Sequence, residues 1–275
     1  MKKRLIVAAV AIPILILVIF LGPSWLLGIV VGAGAACCAW EFLRCTEKDA
    51  AKRIHIYATV SAFLIPFLSS LLHTGLVCLV VLFLLFAVLF IELMLSFRSE
   101  TTMEFETVTV ALMAGGVFPI LLSGIVRLDL LENGSVYAFL PFVAAFSSDG
   151  GAYFAGLALG KHALTPRISP HKTVEGSIGG FVGAIAVMLI YGLILKAVGY
   201  SVNFAVMAVY GFFGSLASQL GDLSFSAVKR LFDIKDYGNL LPGHGGMMDR
   251  LDSMVWAAPV IWLLCLWVPA ITKAV

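Results

Sequence analysis

The sequence predicts an all-α, polytopic integral membrane protein, and three observations carry that reading. Of its 275 residues, 61% are hydrophobic and only 12% charged, whereas a soluble domain carries roughly 25% charged residues. The mean hydropathy is +1.05. The apolar residues also fall into runs long enough to cross roughly 30 Å of hydrocarbon as helices. Too few polar side chains remain to cover a water-facing surface, which excludes an ordinary soluble enzyme, a disordered chain and a collagen-like repeat. The net charge of +2 is too small to suggest nucleic acid as a partner.

About nine spans are expected, at 5–21, 25–40, 56–72, 76–97, 108–126, 136–159, 178–198, 204–223 and 253–271. The first follows Met1-Lys2-Lys3-Arg4, as a signal peptide would. No A-x-A cleavage site follows it, however, and Gly22-Pro23-Ser24 leads directly into more apolar sequence, so an uncleaved span is expected. The second is short. Glu92, inside the fourth, reads either as a partner for a neighbouring helix or as a functional carboxylate. His55 and His73, at span ends, are expected in boundary water. Trp25, Trp40 and Trp256 read as interfacial anchors. The sixth and eighth spans carry carboxylates, Asp149 and Asp222. The five cysteines form no C-x-x-C pair and read as inert core residues.

Orientation follows from the bias of Lys and Arg toward cytoplasmic loops. With the N-terminus cytoplasmic and the C-terminus outside, all but Arg127, Lys196 and Lys273 of the 18 basic residues fall on the cytoplasmic side. The chain reads as one structural domain. Residues 1–140 supply an N-terminal transmembrane scaffold and 141–275 a catalytic region, in which two cytoplasmic segments, 160–176 and 224–252, hold dense mixed chemistry.

The first concentration lies between Ser147 and Gly180. Asp149 sits in an apolar stretch, where an ionised carboxylate is costly unless paired or metal-bound. Gly156 and Gly160, Gly176 and Gly180, and Gly179 and Gly183 are spaced four apart, the pattern that lets helices approach closely in lipid. Between them, Thr165-Pro166-Arg167 and Ser169-Pro170-His171-Lys172-Thr173 make a stiff loop of cations, hydroxyls and an imidazole suited to an anion.

The second concentration, 222–252, packs five Asp and four Lys or Arg around a glycine-rich turn. If a helix runs through Arg230, Asp222, Ser226 and Lys229 share one face. Asp249 and Asp252 stand one helical turn apart. Pro242-Gly243-His244-Gly245-Gly246 can offer backbone N–H groups and an imidazole to an anion. Carboxylates beside cations and a glycine turn suit Mg²⁺ held together with phosphate. Zinc is not expected, since no Cys or His stands at ligand spacing. At a membrane surface, this points to lipid phosphate chemistry, where catalysis is mainly positioning and charge neutralisation.

The string Ser226-x-x-Lys229-Arg230-x-x-x-x-Lys235-Asp236-x-Gly238-x-x-Leu241-Pro242-Gly243-His244-Gly245-Gly246-x-x-Asp249-Arg250-x-Asp252 resembles the signature of the CDP-diacylglycerol synthases (phosphatidate cytidylyltransferases). Ser169-Pro170-x-Lys172-Thr173-x-Glu175-Gly176, with Asp149-x-x-Ala152-Tyr153 upstream, resembles that family's second motif. The resemblance implies transfer of CMP from CTP to phosphatidic acid, giving CDP-diacylglycerol and pyrophosphate in phospholipid biosynthesis. It implies catalytic roles for Asp222, Lys229, Arg230, Asp249, Arg250 and Asp252. Mg²⁺, alone or with a second cation, would be held by Asp222, Asp249 and Asp252. Substrate contacts would come from Asp149, Ser169, Lys172, Thr173, Glu175, His244, Gly245 and Gly246. A homodimer in the inner (cytoplasmic) membrane, with its active site facing the cytoplasm, is implied as well. The rival readings are a CTP-dependent polyprenol or lipid-alcohol kinase, which would move the γ-phosphoryl group, and an ion-coupled transporter using Asp149 and Asp222. The complete signature string argues against the first, and the cytoplasmic glycine-histidine loop against the second.

Overall fold

The computed structural model describes residues 2–47, 50–72, 75–98, 102–240 and 245–273, with side chains described over 12–272. Eight helices among the described residues are long and apolar enough to cross a membrane, and the protein is an all-α polytopic membrane protein. The chain divides into two compact units. One comprises Met1–Leu130 with Ile234–Leu251, and the other Leu131–Asp233 with Asp252–Val275.

The first unit begins with α1 (Lys2–Leu21), whose described apolar stretch is Ile12–Leu21. It continues through α2 (Ser24–Thr46), α3 (Lys52–Leu72) and α4 (Leu76–Ser96). A composite span follows, in which α5 (Phe105–Leu112), a π-helical turn (Met113–Val117) and α6 (Phe118–Asp129) run on without a break. Helix α2 reaches Thr46, past the expected end near residue 40. Its polar residues did not end the helix because Glu41 is buried and hydrogen-bonded. Helices α2 and α3 lie close where Gly28 meets Ser70 and Gly32 meets the Phe63 carbonyl. Glu92 does pair with a neighbouring helix: Arg53 Nε lies 2.7 Å from Glu92 Oε2, and the Tyr57 hydroxyl donates to Oε1 at 3.2 Å. His55 departs from expectation. It is buried against Trp40, with ring centroids 5.6 Å apart, because the helix begins at Lys52 and carries position 55 inside. His73 lies outside the described residues.

The second unit holds α7 (Gly134–Ala138) and α8 (Leu140–Leu159), then a hairpin of β1 (Ala163–Thr165) and β2 (Ser169–Thr173). After it come α9 (Val174–Ala197), β3 (Tyr200–Val202), α10 (Phe204–Leu231), α11 (Met248–Trp267) and β4 (Ile271–Lys273). The first turn of α11 falls in the first unit. The glycines spaced four apart do pack helices closely. A Cβ on Gly156 would stand 3.7 Å from the Gly176 Cα, and one on Gly183 would stand 3.0 Å from the Ser147 carbonyl oxygen. The last expected span, 253–271, is displaced toward the N-terminus. Helix α11 stops at Trp267, Pro269 cannot donate a helical hydrogen bond, and Ile271 instead pairs with Val202 in a short antiparallel ribbon.

Candidate active site

The hairpin is the first feature that positions chemistry. Its strands pair Ala163 with Thr173 and Thr165 with Ser169, so the segment read as a stiff loop is a two-stranded structure. Its base is closed by Glu175, in the first turn of α9. That carboxylate accepts the backbone N–H groups of Lys161 and His162 at 3.1 and 3.2 Å and lies 2.5 Å from His162 Nδ1. Thr173 caps α9, its Oγ1 accepting the Gly176 N–H at 3.1 Å. Two side chains expected at substrate, Thr173 and Glu175, thus also order the hairpin, and Lys172 immediately precedes them in sequence.

Lys172 forms an ion pair with Asp222 Oδ2 on α10. As the helical spacing requires, Asp222 and Ser226 are neighbours, the Ser226 hydroxyl donating to Asp222 Oδ1 at 3.2 Å. Arg230 Nε donates to the Ile168 carbonyl at the hairpin turn, at 3.0 Å. These contacts fasten the hairpin to α10 at two points. Asp252, on α11, is only 7% exposed, and its carboxylate lies within electrostatic reach of Asp222, Lys229 and Asp149. The second unit therefore gathers Asp149, Lys172, Asp222, Ser226, Lys229 and Asp252, drawn from four elements.

Below this cluster lies a polar network that the sequence reading missed. Gln219, one turn before Asp222, accepts from the Ser177 hydroxyl at 2.5 Å and donates to Ser215 Oγ at 3.1 Å. Ser215 in turn meets Ser148 at 2.8 Å. The available signal was a buried-span Ser-x-x-x-Gln at 215–219, since polar groups at that depth must find partners.

The first unit holds the rest of the signature. Asp249 Oδ2 accepts the N–H groups of Tyr237 and Gly246 at 2.9 and 3.0 Å, so it ties together the two flanks of the glycine turn. Gly245 has φ +81°, a conformation that glycine adopts without steric cost. Arg250 is exposed. His244, with Leu241, Pro242 and Gly243, lies outside the described residues. Glu41, absent from the sequence reading of the site, accepts the Met248 N–H at 2.9 Å.

A family model described as the cytidylyltransferase family matches residues 2–268. The chain belongs to that family. It is 43% identical over 136 residues to a phosphatidate cytidylyltransferase of Bacillus subtilis, covering 50% of this chain and 49% of that protein. It is 39% identical over 133 residues to a Staphylococcus haemolyticus protein of the same name and 41% identical over 133 residues to one from Staphylococcus aureus, in each case over 48% of this chain and 50% of the relative. The chain spans about half the length of the curated relatives it matches.

For a cytidylyltransferase-family chain, the donor set bears on the metal. Among the described residues, no three His, Cys, Asp or Glu side chains gather closely enough to enclose an ion by themselves. Mg²⁺ is commonly held by one or two carboxylates and completed by water and substrate phosphate. Asp222 and Asp252, all-oxygen donors flanked by Lys172 and Lys229, fit that mode and do not fit a thiolate or imidazole cage.

Proposed function

We propose that the protein is a phosphatidate cytidylyltransferase of the cytoplasmic membrane. In the reaction, a phosphate oxygen of phosphatidic acid attacks the α-phosphorus of CTP. The bond from that phosphorus to the oxygen bridging it to the β-phosphate breaks. Pyrophosphate leaves with the electron pair, and CDP-diacylglycerol stays in the bilayer. The attacking phosphate is already ionised near neutral pH, so the chain need supply no strong base.

The observation that carries this reading is the pairing of Lys172 with Asp222 beside Ser226, Lys229 and the buried Asp252. It is a juxtaposition of carboxylates and cations in a membrane protein of a nucleotidyl-transferring family. Asp222 and Asp252 would hold Mg²⁺, which would neutralise phosphoryl charge as the two anions approach. Lys172 holds Asp222 in place and offers its ammonium to phosphate, and Lys229 adds positive charge beside Asp252. Asp249 orders the flanks of the glycine turn, whose backbone N–H groups would be of the kind that bind phosphate. The names of the relatives support phosphatidate as the acceptor. The positive-inside bias supports an N-terminus and motif loops in the cytoplasm, where CTP is found. A homodimer is part of the same proposal and is checked by the mass of the detergent-solubilised particle.

The deciding experiment supplies purified protein with phosphatidic acid, Mg²⁺ and CTP labelled separately at the α- and γ-phosphates. α-Label is expected in the lipid, with release of pyrophosphate. γ-Label in a lipid acceptor, or no transfer at all, would overturn the reading.

A further inference from the structure

Glu41 belongs to neither motif, yet two motif glycines are shaped around it. It lies near the C-terminal end of α2 and is only 8% exposed. A carboxylate so placed is costly unless its oxygens accept hydrogen bonds. Its Oε2 accepts the Met248 N–H at 2.9 Å, at the start of α11, where the first backbone N–H groups of a helix have no partner within it. A Cβ on Gly238 would collide with Oε1, and one on Gly246 with Oε2. The same end of α2 grips the loop twice more. The Phe42 ring packs on that of Tyr237 at 5.7 Å, and the Cys45 thiol donates to the Tyr237 carbonyl at 3.0 Å.

The contacts converge on one point. Tyr237 and Gly246, whose N–H groups both go to Asp249, belong to the two strands of loop that Glu41 and its neighbours hold. We infer that Glu41 is the positioning residue of the glycine loop. It seats both flanks of the turn, fixes the first turn of α11 and thereby aims Asp249 and Arg250. Gly238 and Gly246 owe their lack of a side chain to this carboxylate rather than to phosphate alone. An aspartate here would fall short of the Met248 N–H by one methylene. A glutamine would keep one oxygen acceptor for it.

The inference rests on the transferase reading for its kinetic consequence and stands apart from it for its structural one. The test therefore takes both measurements on the full-length protein in detergent. Backbone hydrogen exchange over 237–251 is expected to quicken about tenfold or more in E41L, as loss of a charge-assisted hydrogen bond would allow. Exchange over 160–173 is expected to stay unchanged. In the CTP assay, E41L should lower kcat about tenfold or more, with the KM for phosphatidic acid within about twofold, while E41Q restores kcat to within about threefold of wild type. Should E41L not fold, E41Q and a double-mutant cycle still decide. Gly246→Ala is expected to lower the unfolding midpoint in the wild-type chain but far less in the Glu41→Ala background. Additive effects in that cycle, or wild-type exchange over 237–251 in E41L, would overturn the inference. If wild-type protein transfers no cytidylyl group, the transferase reading fails, while exchange and the cycle still judge Glu41.

Discussion

Lys172 is the residue at which chemistry and stability should come apart. Its side chain and that of its partner Asp222 are 31% and 29% exposed, and a pair with that much solvent contributes about 0–1 kcal/mol to folding. Lys172→Ala is therefore expected to move the unfolding midpoint by about 3 °C or less, while transfer of α-label to lipid falls about 100-fold or more, as loss of a charge at a phosphoryl centre does. Comparable losses in both measurements would make the pair structural. Asp249 poses the complementary question. Asparagine can offer a carbonyl oxygen to the Tyr237 and Gly246 N–H groups, so Asp249→Asn should leave the loop in place and remove only the charge. Turnover at saturating Mg²⁺ is expected to fall about 100-fold. Near-normal turnover would confine Asp249 to ordering the turn.

At the scale of elements, close helix contact in the second unit is set by single glycines. A Cβ on Gly179 would run into the Ala155 side chain and approach the Gly151 carbonyl oxygen to 2.9 Å, whereas one on Gly150 meets nothing within 4 Å. Both lie inside helices, so Gly→Ala favours helix at each by about 1 kcal/mol in the absence of a clash. Gly150→Ala is expected to hold or raise the unfolding midpoint in detergent. Gly179→Ala should lower it, because overpacking typically costs about 1–3 kcal/mol. A midpoint raised by Gly179→Ala would show that α8 and α9 can separate without loss. The spacing of these glycines was legible in the sequence, since a period of four residues maps directly onto one helical face. The face of α10 was equally legible, and Ser226 meets Asp222 as the spacing requires. Glu41 was not. A lone carboxylate at the end of an apolar run reads as an exit into water, and only the distant Met248 N–H explains why the helix carries it inside. The hairpin was also hidden, because its pairing depends on the Glu175 carboxylate accepting three donors at its base rather than on any alternation of apolar residues.

At the scale of the whole molecule, hydropathy fixes how many helices can cross and the basic residues argue for how they are threaded. The eight long apolar helices among the described residues follow from a composition poor in charge and from apolar runs long enough to span a bilayer as helices. Their direction rests on the concentration of Lys and Arg in alternate connections, a bias that operates during insertion and leaves no trace in side-chain packing. That is why the helices could be read and then seen, while their orientation calls for a measurement in intact membranes. Arg167, in the hairpin turn, and Leu240, before the glycine turn, are both exposed. Val198, after α9, is 71% exposed and falls on the opposite side of the bilayer by the same bias. Cysteines placed singly at these positions are expected to react with an impermeant thiol reagent from the cytoplasmic side at 167 and 240, and from the outer side at 198, above the background of the native cysteines. Reaction of 167 or 240 from outside would reverse the threading and separate the proposed site from cytoplasmic CTP. The transferase reading would then need a source of nucleotide on the side of the membrane away from cytoplasmic CTP.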